Sequence, residues 1–120
     1  MAETKSFWKS FIIVVITILS ASVVIAQNIC DSDICVVEFN TGWNTVNGVG
    51  YLDDLEDCSI KRINIDEGTW QVDYGIVVVP TVIVFNGREV SRFQADLSFQ
   101  LSATKRDVQN IVDDILLSDF

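Results

Sequence analysis

Cys30, Cys35 and Cys58 are the strongest nucleophiles in this 120-residue chain, and the side chains best suited to covalent exchange. Three is an odd number, so at least one thiol is free or bonded to another molecule. Partners for catalysis are scarce. The chain has no histidine, which removes the commonest general base and the commonest metal ligand. A serine or cysteine triad of the usual kind is excluded, as is a zinc site with histidine, and no metal or cofactor is expected. A second unusual stretch, Tyr74 to Arg88 (YGIVVVPTVIVFNGR), sets the chain's one proline, Pro80, among β-branched residues. Proline lacks an amide donor, so the chain should break at Val79-Pro80 and start a strand at Val82 to Phe85. A cis bond, affordable only before proline, would turn the chain sharply there. Asn86-Gly87 then signals a two-residue hairpin turn.

The elements that would position these residues follow from periodicity. Cys35 to Phe39 (CVVEF) reads as a buried strand with Glu38 as its discordant member. Asn40 to Asn44 is a loop by composition. A helix is expected between Thr45 and Asp57, with Tyr51, Leu52 and Leu55 on its apolar side and its start weakened by Gly48 and Gly50. Ile60 to Asp66 alternates as a strand, and Glu67 to Tyr74 is a short helical or turn segment. After the hairpin returns through Val90 to Phe93, strict alternation from Phe93 to Leu101 predicts a long or bent edge strand, ordinary in its packing or able to recruit a partner by strand addition. Thr104 and Asp107 make a capping-box-like start to the last helix, whose apolar residues are Val108, Ile111, Val112, Ile115 and Leu116. Strand, helix, strand, helix, strand, strand, helix is an α/β sandwich around one mixed sheet.

Composition places this domain in a compartment. An apolar fraction of 49% with 21% charged residues is that of a globular chain with room for one domain. A formal charge of −9 argues against nucleic acid or anionic lipid as partner. Lys5 and Lys9 precede the apolar run Phe11 to Leu19, and Val24-Ile25-Ala26 places small residues for signal peptidase. Residues 1–26 therefore read as a signal peptide, 27–34 as a short lead-in and 35–120 as the domain. The apolar stretch Phe11 to Ala26 is shorter than the roughly 20 residues that span a bilayer. The alternative is an uncleaved anchor, with Trp8 and the two lysines at the interface, which would make a membrane partner. Export, to the periplasm or outside the cell, puts all three cysteines where disulfides persist.

The order of these pieces resembles the thioredoxin fold. The matching residues are Val36-Val37-Glu38-Phe39, Gly42-Trp43, Asn64-Ile65-Asp66, Tyr74-Gly75-Ile76, Val79-Pro80-Thr81 and Phe85-Asn86-Gly87. They are collinear between Cys35 and Phe120. The resemblance implies a three-layer sandwich with a central mixed sheet of about four to five strands and helices on both faces. It also implies an active site that is degenerate here. Where thioredoxins carry Trp-Cys-x-x-Cys, this chain has Trp43-Asn44-Thr45-Val46-Asn47. Asparagine cannot form a thiolate or a disulfide, so dithiol exchange cannot run at Asn44 and Asn47. Asn44 reads as a helix N-cap. Glu38 falls at the family's buried acid and is expected to bond water or Asn47 beneath the loop.

The half of the site that would survive is the peptide-binding half. In thioredoxins the backbone before the cis-proline pairs with an extended peptide, so Trp43, Asn44, Asn47, Val79, Pro80 and Thr81 form the candidate binding residues, against the reading that they are retained packing. In such a sheet Cys35 and Cys58 begin parallel neighbours at the edge opposite Trp43, so a disulfide of Cys58 with Cys30 or Cys35 is expected, Cys30–Cys35 being the third pairing. The functional expectation is an exported module without dithiol activity, leaning against an enzyme, that binds or scaffolds an extended peptide or protein partner. The alternatives are a weak thiol–disulfide oxidoreductase using Cys30, Cys35 or Cys58, and a membrane-anchored accessory subunit of an envelope complex. Intact-mass measurement of the protein recovered from cells is expected to show Gln27 as the N-terminus. Retention of residues 1–26 would favour the anchored form.

Overall fold

The computed structural model describes residues 29–30 and 33–118. Residues 1–28, which include the expected signal peptide and the expected new terminus at Gln27, lie outside them, as do Asp31, Ser32 and the last two residues. Four strands form one mixed sheet in the order β2-β1-β3-β4, with β1 Cys35–Asn40, β2 Ser59–Asn64, β3 Thr81–Phe85 and β4 Glu89–Gln94. β1 runs parallel to β2 and antiparallel to β3, which pairs antiparallel with β4. The α/β sandwich expected from the order of elements is present.

Alternation along β1 explains the two layers. Val36 faces one side with Val84, Val82 and Ile34, and there meets Val108, Val112 and Ile115 of α2, Lys105–Ser118. Val37 and Phe39 face the other side with Ile83 and Phe85, under Tyr74, Ile76 and the short helix α1, Trp70–Asp73. Both faces of β1 and β3 are buried, as a continuous β-branched run requires. α2 begins on a full capping box. The Thr104 N–H donates to Asp107 Oδ2 at 2.8 Å, and the Asp107 N–H donates to Thr104 Oγ1 at 3.2 Å.

Three local expectations change. The helix between Thr45 and Asp57 is replaced by two 3₁₀ segments, Gly42–Asn47 and Gly50–Asp54. The space between them is tight: a Cβ on Gly48 would lie 3.1 Å from the Thr45 carbonyl oxygen. Leu52 nevertheless reaches the core from the second segment and is fully buried. The hairpin turn holds three residues, Asn86 to Arg88, because a bulge at Val84/Phe85 sets Phe85 opposite Glu89. Gly87 takes φ +78°, the left-handed residue that such turns require.

The edge strand expected from Phe93 to Leu101 stops at Gln94. Its last pairing is the Ala95 N–H donating to the Pro80 carbonyl at 3.1 Å. Asp96 then ends the strand by a side-chain-to-backbone turn, with Ser98 N–H donating to Asp96 Oδ1 at 2.8 Å. Phe99 N–H donates to the Asp96 carbonyl, and Phe99 adopts φ +61°. A local Asp–Ser turn thus overrides the period-two pattern and swings Phe99 away from the ladder. Leu52→Ala is expected to lower stability by about 2–5 kcal/mol, as for other buried leucines. Urea unfolding followed by circular dichroism measures it, and a loss near zero would place Leu52 outside the core.

Candidate functional site

β1 ends at Asn40, and the chain turns over the sheet through Thr41 into the first 3₁₀ segment. Trp43 is 63% exposed there, while its neighbour Asn44 is 2% exposed. Asn44 is not a helix N-cap, since the segment begins before it and has no side-chain cap. It sits at a kink inside the segment, with φ −112° and ψ 17°. Its side chain instead joins three parts of the chain. Nδ2 approaches Asn40 Oδ1 at 3.1 Å, the Phe99 carbonyl at 3.2 Å and, at the longer distance of 3.4 Å, the Val79 carbonyl. Two amide hydrogens serve these three oxygens, so at least one is shared. Asn44 Oδ1 accepts from Asn47 Nδ2 at 2.8 Å, and Asn40 Nδ2 donates to the Asn44 carbonyl at 3.2 Å. Gln100 Nε2 completes the set by donating to Asn47 Oδ1 at 3.3 Å.

The structure therefore brings Trp43, Asn44, Asn47 and Val79 together. The Val79–Pro80 peptide is cis. Val79, Pro80 and Thr81 are buried, and Thr81 Oγ1 donates to the Val78 carbonyl at 2.7 Å. Pro80 and Thr81 thus support the site from beneath and do not form its surface. What faces solvent beside Trp43 is Phe99, whose ring meets the indole edge-on at 5.0 Å between centroids, together with exposed Val77. These residues and Ile65, Asp66, Gln71 and Ile76 border a cavity of about 330 Å³. Asp66, Val77 and Phe99 are not among the residues that the sequence marks for binding. Phe99 was visible only as one member of an alternating run, and its role depends on where the Asp96 turn puts it.

Glu38 is buried, as expected, but its partners differ from those expected. Oε1 accepts from Arg62 Nη1 at 2.7 Å and Oε2 accepts the Val49 N–H at 2.6 Å. Asn47 is engaged by Asn44 instead. Arg62 lies directly opposite Glu38 in the β1–β2 register, on the same face of the sheet, and also donates to Asp53 Oδ2 at 3.1 Å. The ion pair neutralises the carboxylate, and the amide bond fixes the linker between the two 3₁₀ segments.

Among the cysteines the expected Cys58 bridge is not formed. Cys30 and Cys35 are joined, with Cα atoms 6.1 Å apart, and Cys58 is the free thiol among the described residues. Cys35 points with Val37 and Phe39 to one face of the sheet, whereas Cys58 packs with the cluster on the opposite face. A Cys35–Cys58 bond would have to cross the sheet. The disulfide stands at the start of β1 and Trp43 beyond its end, so the whole strand, six residues and roughly 17 Å long, separates them. Among the described residues no group of acidic, cysteine or histidine side chains could hold a metal, and no helix is long and apolar enough to cross a membrane.

No protein-family model matches the chain, and no curated protein matches it in sequence. Solved structures do match. The chain is similar to a point-mutant thioredoxin from Halobacterium salinarum NRC-1, at 21% identity and a TM-score of 0.50, over 70% of this chain and 75% of that one. It is also similar to thioredoxin-2 of the malaria parasite, described as a component of the protein secretion machinery, at 14% identity and a TM-score of 0.55, over 68% of this chain and 82% of that one. The chain has a thioredoxin-like fold, and at these identities the likeness extends to the fold alone.

Burial, and then the charge of Asp57, push the Cys58 thiol above its ordinary value. Raising a thiol's pKa lowers its thiolate fraction at neutral pH, so Cys58 is a poor nucleophile there. The rate of iodoacetamide alkylation of Cys58 is expected to climb with pH through an inflection above that of a free cysteine peptide. Mass spectrometry of the modified peptide reads it, and an inflection at or below the peptide's value would contradict the burial effect.

Proposed function

We propose that this protein is an exported thioredoxin-fold module that binds an extended peptide or protein segment beside Trp43 and does not carry out dithiol exchange at Asn44 and Asn47. The observation that carries the reading is the state of Asn44. Its amide is spent on Asn40, Asn47 and Phe99, with a longer approach to Val79, which makes it a structural tie in a place where exchange would need a sulfur. What supports binding is the exposed Trp43–Phe99 pair next to Val79. The Val79 N–H has no hydrogen-bond partner among the described residues, and its carbonyl carries only the long contact from Asn44. A carbonyl has two lone pairs, so both backbone groups can pair with an incoming extended chain. Export is proposed from residues 1–26, with an anchored accessory subunit as the form in which that segment is retained.

One observation favours a second reading. The Cys30–Cys35 disulfide borders a separate cavity of about 460 Å³, whose lining includes Tyr74, Arg88 and Arg92. A weak thiol–disulfide oxidoreductase would use this pair, with Cys58 on the far face of the sheet as a bystander.

The two readings separate in paired assays. Extended peptides captured by the protein are expected to bind at least about tenfold more weakly to Trp43→Ala, because an aromatic anchor at the centre of a contact typically contributes about 2 kcal/mol or more. Insulin reduction is expected to stay at background. Activity above background that Cys30→Ser abolishes would establish the oxidoreductase instead, and capture indifferent to Trp43→Ala would remove the peptide surface.

A further inference from the structure

The cavity beside Trp43 is mixed in character: Ile65, Ile76, Val77, Val79 and the two aromatic rings supply its apolar part, and polar groups expose at least as much surface into it. The polar groups are informative. Asp66 is the one charged residue lining it. Asp66 Oδ2 accepts the Gly42 N–H at 2.9 Å, which holds the carboxylate next to the segment that carries Trp43. Its other oxygen has no partner among the described residues, and no lysine or arginine there pairs with it. The cations whose partners are seen are engaged elsewhere: Arg62 with Glu38 and Asp53, Arg92 with Glu89, and Lys61 with the Ile29 carbonyl. Thr41 also lines the cavity. It is 7% exposed, and its hydroxyl oxygen is buried with no hydrogen-bond partner among the described residues.

The geometry points to a long cationic side chain, arginine or lysine, of an extended peptide as the occupant of this slot. The inference deepens the peptide-binding reading and rests on it. A methylene stem packs on Ile76 and Val79 while the cationic head lies over the Trp43 indole and pairs with Asp66. An uncharged apolar side chain would fill the same space but leave the exposed Asp66 carboxylate without the ion pair that a cation brings. The chain's net charge of −9 attracts cationic peptides and opposes a second copy of itself as the occupant. Acidic peptides are excluded twice, by Asp66 and by the overall field.

The test uses the protein as isolated from cells and end-capped, dye-labelled hexapeptides that differ only at one central position: arginine, lysine, norleucine or glutamate. Fluorescence anisotropy is expected to show the arginine and lysine peptides binding about tenfold more tightly than norleucine at low salt, with glutamate weakest. That preference should shrink as salt is raised. Asp66→Asn keeps an acceptor oxygen for the Gly42 N–H, so it should abolish the preference for a cation, bringing the arginine, lysine and norleucine peptides to within about twofold of one another. Norleucine bound as tightly as arginine, or a preference that survives Asp66→Asn, would overturn the cationic slot and leave an apolar peptide surface standing. Failure of all four peptides to bind would remove both the slot and the reading beneath it. A dimer that masks Trp43 would do the same.

Discussion

The buried amide of Asn44 is the tie on which the arrangement of the candidate site depends. Three segments far apart in sequence meet at it: the end of β1 through Asn40, the bend before Pro80 through Val79, and the loop after β4 through Phe99. A buried amide without partners would cost about 1–3 kcal/mol, so these segments and the side chain constrain one another. Asn47 and Gln100 extend the same network towards the surface. The consequence for function is direct. The Phe99 backbone is held over the first 3₁₀ segment, its ring is set against Trp43, and a slot exists between them and Val77.

A second buried polar group organises the other side of the same loop. Glu38 sits on a strand whose neighbours are valine and phenylalanine, where an unpaired carboxylate could not be kept charged without a large penalty. Arg62 meets it from the adjacent parallel strand, and the Val49 amide meets it from the 3₁₀ linker. The two 3₁₀ segments take the place of a regular helix, and they are held by Leu52 in the core and by this carboxylate. The sulfur atoms belong to another part of the molecule. The disulfide pins the lead-in at Ile29 and Cys30 to the beginning of β1, and Cys58 is packed into the opposite layer.

Much of the architecture was legible because it rests on local pattern. The β-branched runs at Cys35–Asn40 and Thr81–Phe85 became strands, the break at Pro80 fell where a missing donor demanded it, and Thr104 with Asp107 capped α2 as its spacing implied. The pattern misled where a short-range bond competed with it. Phe93 to Leu101 alternates, yet Asp96 and Ser98 form a turn that a period-two count does not register. Asn86-Gly87 called for a two-residue turn, yet a bulge one strand earlier added a third residue. Asn44 looked like a cap because asparagine is a good one, and its burial beneath the chain's own loop could not be read from its neighbours in sequence.

Residue types and short-range spacing were enough to define the class of this protein. It is an acidic α/β domain with no histidine and with a chain break at its one proline. Sequence displays such features directly. Which cysteines meet, what satisfies Glu38, and the gathering of Asp66, Val77 and Phe99 with Trp43 around one cavity were decided by the packed chain. Those outcomes turn on which face of the sheet a side chain occupies and on contacts between segments 24 to 55 residues apart. No periodicity or motif encodes contacts at such separations. They are set when buried polar groups must each find a partner in a single packed arrangement.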